Sequence, residues 1–273
     1  MHNNELRYKL STMPTDALID SHCHLDFESF DIDRDQVLQR ALDNNVNDII
    51  VPGTEKKYWR RINQLCTRYK QLHPCYGLHP YWVSDHDKHD LKSLDSYIEN
   101  NPAVALGECG LDFRDDQTDK KTQLYFFESQ LDIANNHQLP VVIHSVRATE
   151  TIIQSVKKFT DLKGMIHSYS GSVEQAKQLI DLGFYISVGG SVTYDNAKTI
   201  KSVVKYIPLT SLLLETDAPD QPGKKNKGER NEPAYLVNTL DTISTLRDTS
   251  QSNIAKQTTK NARTLFSLEQ QKS

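Results

Sequence analysis

Ala17-Leu18-Ile19-Asp20-Ser21-His22-Cys23-His24-Leu25-Asp26 opens on a short apolar run and closes on two histidines two residues apart. Side chains two apart on an extended strand share a face. His22 and His24 therefore aim at one point, and Cys23 between them faces away. Imidazole is the commonest protein ligand for a metal ion. Alone, a His-x-His is an ordinary polar strand end. It gains weight here because His, Glu or Asp recurs just behind later apolar runs.

Those runs are the candidate strands: Ala17–Asp20, Asn47–Val51, Pro74–Gly77, Ala103–Gly107, Pro140–His144, Gly164–His167, Phe184–Val188 and Leu212–Thr216. Helix-period segments lie between them. In Gln123–Asn136, Leu124, Phe127, Leu131 and Ala134 recur at helical spacing. Behind Gly171, Ser172 with Gln175 reads as a capping box, Val173, Ala176, Leu179 and Ile180 form an apolar stripe, and Gly183 stops it. Asp220–Gly228 reads as a long loop, with a helix starting at Pro233 and a last one over Ser252–Phe266. A helix behind each strand implies parallel neighbours. Eight such units in 273 residues predict an α/β fold, a TIM-type (β/α)₈ barrel, which typically takes about 250 residues. An open doubly wound sheet is the alternative, disfavoured by the absence of a Gly-x-Gly-x-x-Gly turn after the first strand. One domain is expected over residues 17–268, behind a polar leader of residues 1–16.

The net charge of −4 gives no global pull toward nucleic acid, so polyanion binding would rest on local basic patches and bound cations. The leader has no apolar core behind Arg7 and Lys9, and no apolar run approaches the roughly 20 residues that span a bilayer. Four cysteines without a Cys-x-x-Cys pair suit reduced thiols, and a cytoplasmic protein is expected. Cys23 and Cys109 read as small buried apolar residues.

Active sites of such barrels lie at the carboxyl ends of the strands. There the sequence places His22 and His24, Glu108, His144, His167 and Asp217. Each has a plain alternative: a satisfied half-buried histidine, a solvated loop acid at Glu108, a turn cap at Asp217. Coincidence at five of eight strand ends weighs against all of these together. A ring of nitrogen and oxygen donors suits a borderline divalent ion better than Ca²⁺; Zn, Mn or Mg is expected. Six ligands are too many for one tetrahedral ion with an open position. Two ions divide them better: His22, His24 and Asp217 on the first, His144 and His167 on the second, Glu108 between.

Several blocks carry a resemblance. Asp20-Ser-His-Cys-His-Leu-Asp26, Gly77-Leu-His-Pro80, Gly107-Glu-Cys-Gly-Leu-Asp112, His167-Ser-Tyr-Ser-Gly-Ser172, Glu215-Thr-Asp-Ala-Pro219, Arg230-Asn-Glu-Pro233 and Asn261-Ala-Arg-Thr-Leu-Phe266 resemble signatures of the TatD family of metal-dependent deoxyribonucleases. The likeness runs in order from Leu18 to Phe266. It implies a distorted (β/α)₈ barrel, a divalent-metal hydrolase, the same six ligands, and His79 as a further active-site residue. One departure stands out. The family usually places arginine two residues behind the strand-five histidine, where this chain has Val146, with Arg147 one later.

The expectation is a phosphodiester hydrolase trimming DNA, an exonuclease, with Asp217 taking a proton from the attacking water and Glu108 and His79 completing the catalytic group. Arg147, Lys224, Lys225, Lys227 and Arg230 are candidate phosphate contacts, as is the cluster Lys56, Lys57, Arg60 and Arg61. Tyr81 and Trp82 could stack on bases. No membrane or protein partner is implied, and a monomer would suffice. The rival is an amidohydrolase-type enzyme cutting a small amide or ester. Such sites often bridge their metals with a carboxylated lysine where Glu108 stands. A metal-binding scaffold whose catalysis has lapsed is the non-enzyme alternative.

Overall fold

The computed structural model of the protein describes residues 16–268, so the expected leader lies outside them apart from Asp16. Eight strands run β1 Leu18–Asp20, β2 Val46–Pro52, β3 Leu72–Tyr76, β4 Ala105–Asp112, β5 Val141–Val146, β6 Gly164–Ile166, β7 Phe184–Val188 and β8 Leu212–Leu214. They pair in chain order, each parallel to the next. Helices alternate with them: α1 Arg34–Asp43, α2 Lys56–Arg68, α3 Lys88–Asn100, α4 Lys120–Asn136, α5 Thr149–Val156, α6 Val173–Asp181, α7 Lys198–Tyr206, α8 Leu236–Leu246 and α9 Gln251–Phe266. The capping box read at Ser172 and Gln175 is present at the start of α6.

Period-two alternation sorts the strand residues. Leu18, Ile49, Val141 and Ile166 face the helices in one large core. Ile19, Ile50, Cys75, Ala105, Val142, Met165 and Leu213, one from each of seven strands, face inward and pack on Ala262, Leu265 and Phe266 of α9. The last helix thus closes the amino-terminal end of the barrel. Two residues further along, the same inward face carries His144, His167, Ser187 and Glu215. Floor and site are consecutive layers of one pattern.

The largest departure from the sequence reading is β4. The sequence reading ends this strand at Gly107, yet it continues to Asp112. Gly107 (φ 148°) and Gly110 (φ 141°) occupy backbone that other residues rarely adopt. A Cβ at Gly110 would stand 2.1 Å from the His144 carbonyl oxygen, so glycine lets β4 close onto β5. The pairing register shifts between Leu106 and Cys109. Two steps from inward Ala105 would land on Gly107; the shift puts Glu108 in that place.

Removing the floor should cost stability without dismantling the mouth. Phe266→Ala is expected to lose about 3–5 kcal/mol, the usual range for a buried phenylalanine, in urea unfolding. A loss under about 1 kcal/mol would mean α9 does not seal the barrel.

Candidate metal centre

The ring is closed where β8 meets β1. Ser21 N–H donates to the Leu214 carbonyl at 2.9 Å, Asp217 N–H to that of His22 at 2.9 Å, and His24 N–H to that of Ala218 at 2.8 Å. The Asp20 carboxylate accepts the Thr216 N–H at 2.9 Å and its hydroxyl at 2.5 Å. These bonds bring His22 and His24 against Asp217 from opposite ends of the sequence. Asp217 sits at φ 58°, a left-handed conformation that aspartate tolerates better than most residues. Behind it, the Asn231 side chain donates to the carbonyls of Thr216 and Asp220, both at 2.8 Å. Arg230 grips Asp33 and Arg40 grips Glu232 through paired bonds, tying the loop to α1 and its start.

Four donors meet on this side. His22 Nε2 lies 3.2 Å from His24 Nε2, 3.3 Å from Glu108 Oε2 and 3.5 Å from Asp217 Oδ1. His24 Nε2 lies 3.4 and 3.6 Å from the same two oxygens. Bonds of about 2.0–2.1 Å to a tetrahedral ion place neighbouring donors about 3.3 Å apart. These five separations fit that figure. Imidazole lone pairs this close repel unless a proton or a cation lies among them.

A second set surrounds the other oxygen. Glu108 Oε1 is 2.9 Å from His167 Nε2 and 3.0 Å from His144 Nδ1, and those nitrogens are 3.1 Å apart. His144 turns its Nε2 to Asp112 Oδ2 at 3.0 Å. Donation to that carboxylate leaves the Nδ1 lone pair free to bind a cation, a recurring support for histidine ligands. Arg114 holds Asp112 in turn, Nε to Oδ1 and Nη2 to Oδ2, both at 3.0 Å. His79 differs. Its Nδ1 accepts the Tyr81 N–H at 3.1 Å, so Nε2 carries the proton and points at Glu108 Oε1, 3.2 Å away. His79 is therefore a donor toward the centre.

The candidate ligands, His79 and Asp112 are all buried. Burial alone would raise the Glu108 carboxyl, but His167, His79, His22 and His144 outweigh it and hold it well below the usual range. Burial pushes His79 down to about 4 and His22 well below its ordinary value. His24 and His167 go the other way, to about 9 and about 10, because Glu108 outweighs their burial. Burial raises Asp217.

An open cavity of about 480 Å³ leads to the centre, with Phe27, Tyr81, Trp82 and Val146 in its walls. The basic residues proposed as phosphate contacts are not in its lining. Arg147, at φ 52°, turns toward exposed Asp115, with Nη1 4.0 Å from Oδ2. Lys224 pairs with Asp195, Arg230 with Asp33, and Lys225 and Lys227 are exposed on the loop. Lys56 binds Asp90, Lys57 binds Glu55 and Arg61 binds Asp31. The sequence reading missed Asp112, Arg114, Gln221 and Asn231. Gln221 accepts the Ser168 hydroxyl at 2.9 Å and donates its amide to Asp217 Oδ2. Asp112 and Asn231 lie inside motifs that carry the family resemblance; nothing local marks Gln221.

Converging lone pairs at the mouth of a parallel barrel make a candidate metal site where such barrels place their active sites. A family profile described as TatD related DNase matches residues 19–267, and the chain belongs to that family. It is 38% identical over 254 residues to YjjV, an uncharacterized metal-dependent hydrolase of Escherichia coli, covering 92% of this chain and 98% of that one. YabD of Bacillus subtilis, described in the same words, is 35% identical over 92% and 99% of the two chains. The crystal structure of E. coli YjjV superposes with a TM-score of 0.89 at 36% identity, over 92% of this chain and 98% of that one. Among the described residues, no helix is long and apolar enough to cross a membrane.

Metal binding should release protons. His24 and His167 hold theirs up to about 9 and about 10 and must lose them to become ligands. Protons thus compete with the ion, and affinity should rise with pH until both rings are neutral. Zn²⁺ titration at pH 7 in buffers of different ionisation heat checks this; identical heats would mean no proton leaves.

Proposed function

We propose that the centre holds two divalent ions and hydrolyses phosphodiesters, with DNA as substrate. One observation carries the reading: the two Glu108 oxygens face separate donor sets inside one cavity, as a bridging carboxylate must. His22, His24 and Asp217 would hold one ion and His144 and His167 the other. Two such ions would lower the pKa of a coordinated water and neutralise charge growing on phosphoryl oxygens. The likeness to a DNase family supports this substrate class, as does a glutamate where amidohydrolases often carry a modified lysine.

The chain's own groups supply the rest. Asp217 accepts the water's proton; burial has raised its affinity for one, and Gln221 fixes its orientation. His79, neutral and with Nε2 already protonated, donates to oxygens at the centre and is not the base. Tyr81 and Trp82 offer faces on which a base can stack. A cavity of about 480 Å³ is the size of a small-ligand pocket, which favours a chain end over continuous duplex and so an exonuclease. The four cysteines are unpaired, in keeping with a reducing cytoplasm.

Metal-stripped protein restored ion by ion, against single-stranded DNA, RNA and a panel of small amides, tests the substrate class. Turnover of amides but not of nucleic acid would sink it. Asp217→Asn keeps an oxygen for the ion but cannot take a proton at neutral pH. It should bind metal nearly as before while kcat on DNA falls by about 10²–10⁴, the usual share of general base catalysis. Near-normal kcat would make Asp217 a ligand only.

The partition has its own check. His144→Ala and His167→Ala should each reduce one equivalent of metal by elemental analysis and leave the other. Loss of both ions from either folded variant would show that the donors are shared differently.

A further inference from the structure

We infer that Arg114 seats the substrate's phosphate, a role that rests on the phosphodiester reading above. Arg114 is the sole lysine or arginine lining the central cavity among the described residues. The guanidinium has five N–H donors in a flat fork. Its Nε and Nη2 bind Asp112 at 3.0 Å each, and its carbon lies 5.0 Å over the Tyr81 ring. Those two contacts fix the plane and spend one edge. The opposite edge, Nη1 with the second hydrogen of Nη2, meets no protein acceptor among the described residues, and the side chain is 39% exposed. A fixed guanidinium edge matches two oxygens of a phosphate bidentately.

Its place is also right. Arg114 binds Asp112, Asp112 binds His144 Nε2, and His144 Nδ1 faces Glu108. The seat is therefore one carboxylate and one imidazole from the centre, on the side where Val146 stands and Arg147 turns away. Lysine could not hold both partners bidentately, because an ammonium has three donors but no planar edge that matches two oxygens at once.

The test separates seating a phosphate from merely holding Asp112. Inorganic phosphate is titrated by calorimetry into metal-loaded wild type, Arg114→Gln and Arg114→Lys, with metal content measured and brought to the wild-type level by added ion. Both variants should bind phosphate about ten- to a hundredfold more weakly, the loss expected for hydrogen bonds to a charged group, and KM for DNA should rise more than kcat falls. Unchanged phosphate affinity at equal metal content would reduce Arg114 to a support for Asp112 and overturn the proposal. So would wild-type protein that binds no phosphate. If only wild type binds phosphate yet does not cut DNA, the seat stands and the nuclease reading falls.

Discussion

A single buried carboxylate, Glu108, is the constraint on which the rest depends. Placing a charge in the mouth of a barrel is costly unless it is paired and hydrogen-bonded. Here the compensation comes from histidines on four strand ends, which reach it only if the barrel is closed and β4 is shifted in register. Gly107 and Gly110 permit the shift, and β5 approaches because Gly110 has no side chain. An apolar floor one layer below carries the same inward alternation and holds the strands that present these groups. Fold and centre are consequences of one pattern.

Support for the ligands is layered unevenly. His144 is braced by Asp112, itself buried and gripped by Arg114. Asp217 is braced by Gln221 and by a loop pinned through Asn231. His22 and His24 have Nδ1 atoms without hydrogen-bond partners among the described residues; their geometry comes from backbone bonds across the barrel seam. On each side of Glu108, then, one group is held by side-chain hydrogen bonds, His144 on one and Asp217 on the other. His167 is like His22 and His24: its Nδ1 has no hydrogen-bond partner among the described residues, and its backbone places it.

The barrel was legible because eight apolar runs alternate with helical stripes, and both signals are local. The six proposed ligands were legible because each falls at or just beyond a run that periodicity had marked. The extent of β4 was not, since glycine's usual meaning is a turn and only the approach of His144 explains it as strand. The setting of the basic loop was hidden for a related reason: Lys224 and Arg230 look free in sequence, but Asp195 and Asp33, remote in the chain, pair with them. Arg114 escaped notice because Phe113, Asp115 and Asp116 around it suggest nothing, and its meaning comes from Asp112, Tyr81 and a cavity assembled from other strands.

The seam has a bearing on how the protein is made. Glu108, His144 and His167 come from neighbouring strands in the middle of the chain. His22 and His24 leave the ribosome first, yet their partner Asp217 emerges far later; Thr216 reaches across to Asp20 over 196 positions. Until then the amino-terminal strand has an unpaired edge and two histidines without their carboxylate. The centre is therefore complete only once the last strand has been made and has closed on the first.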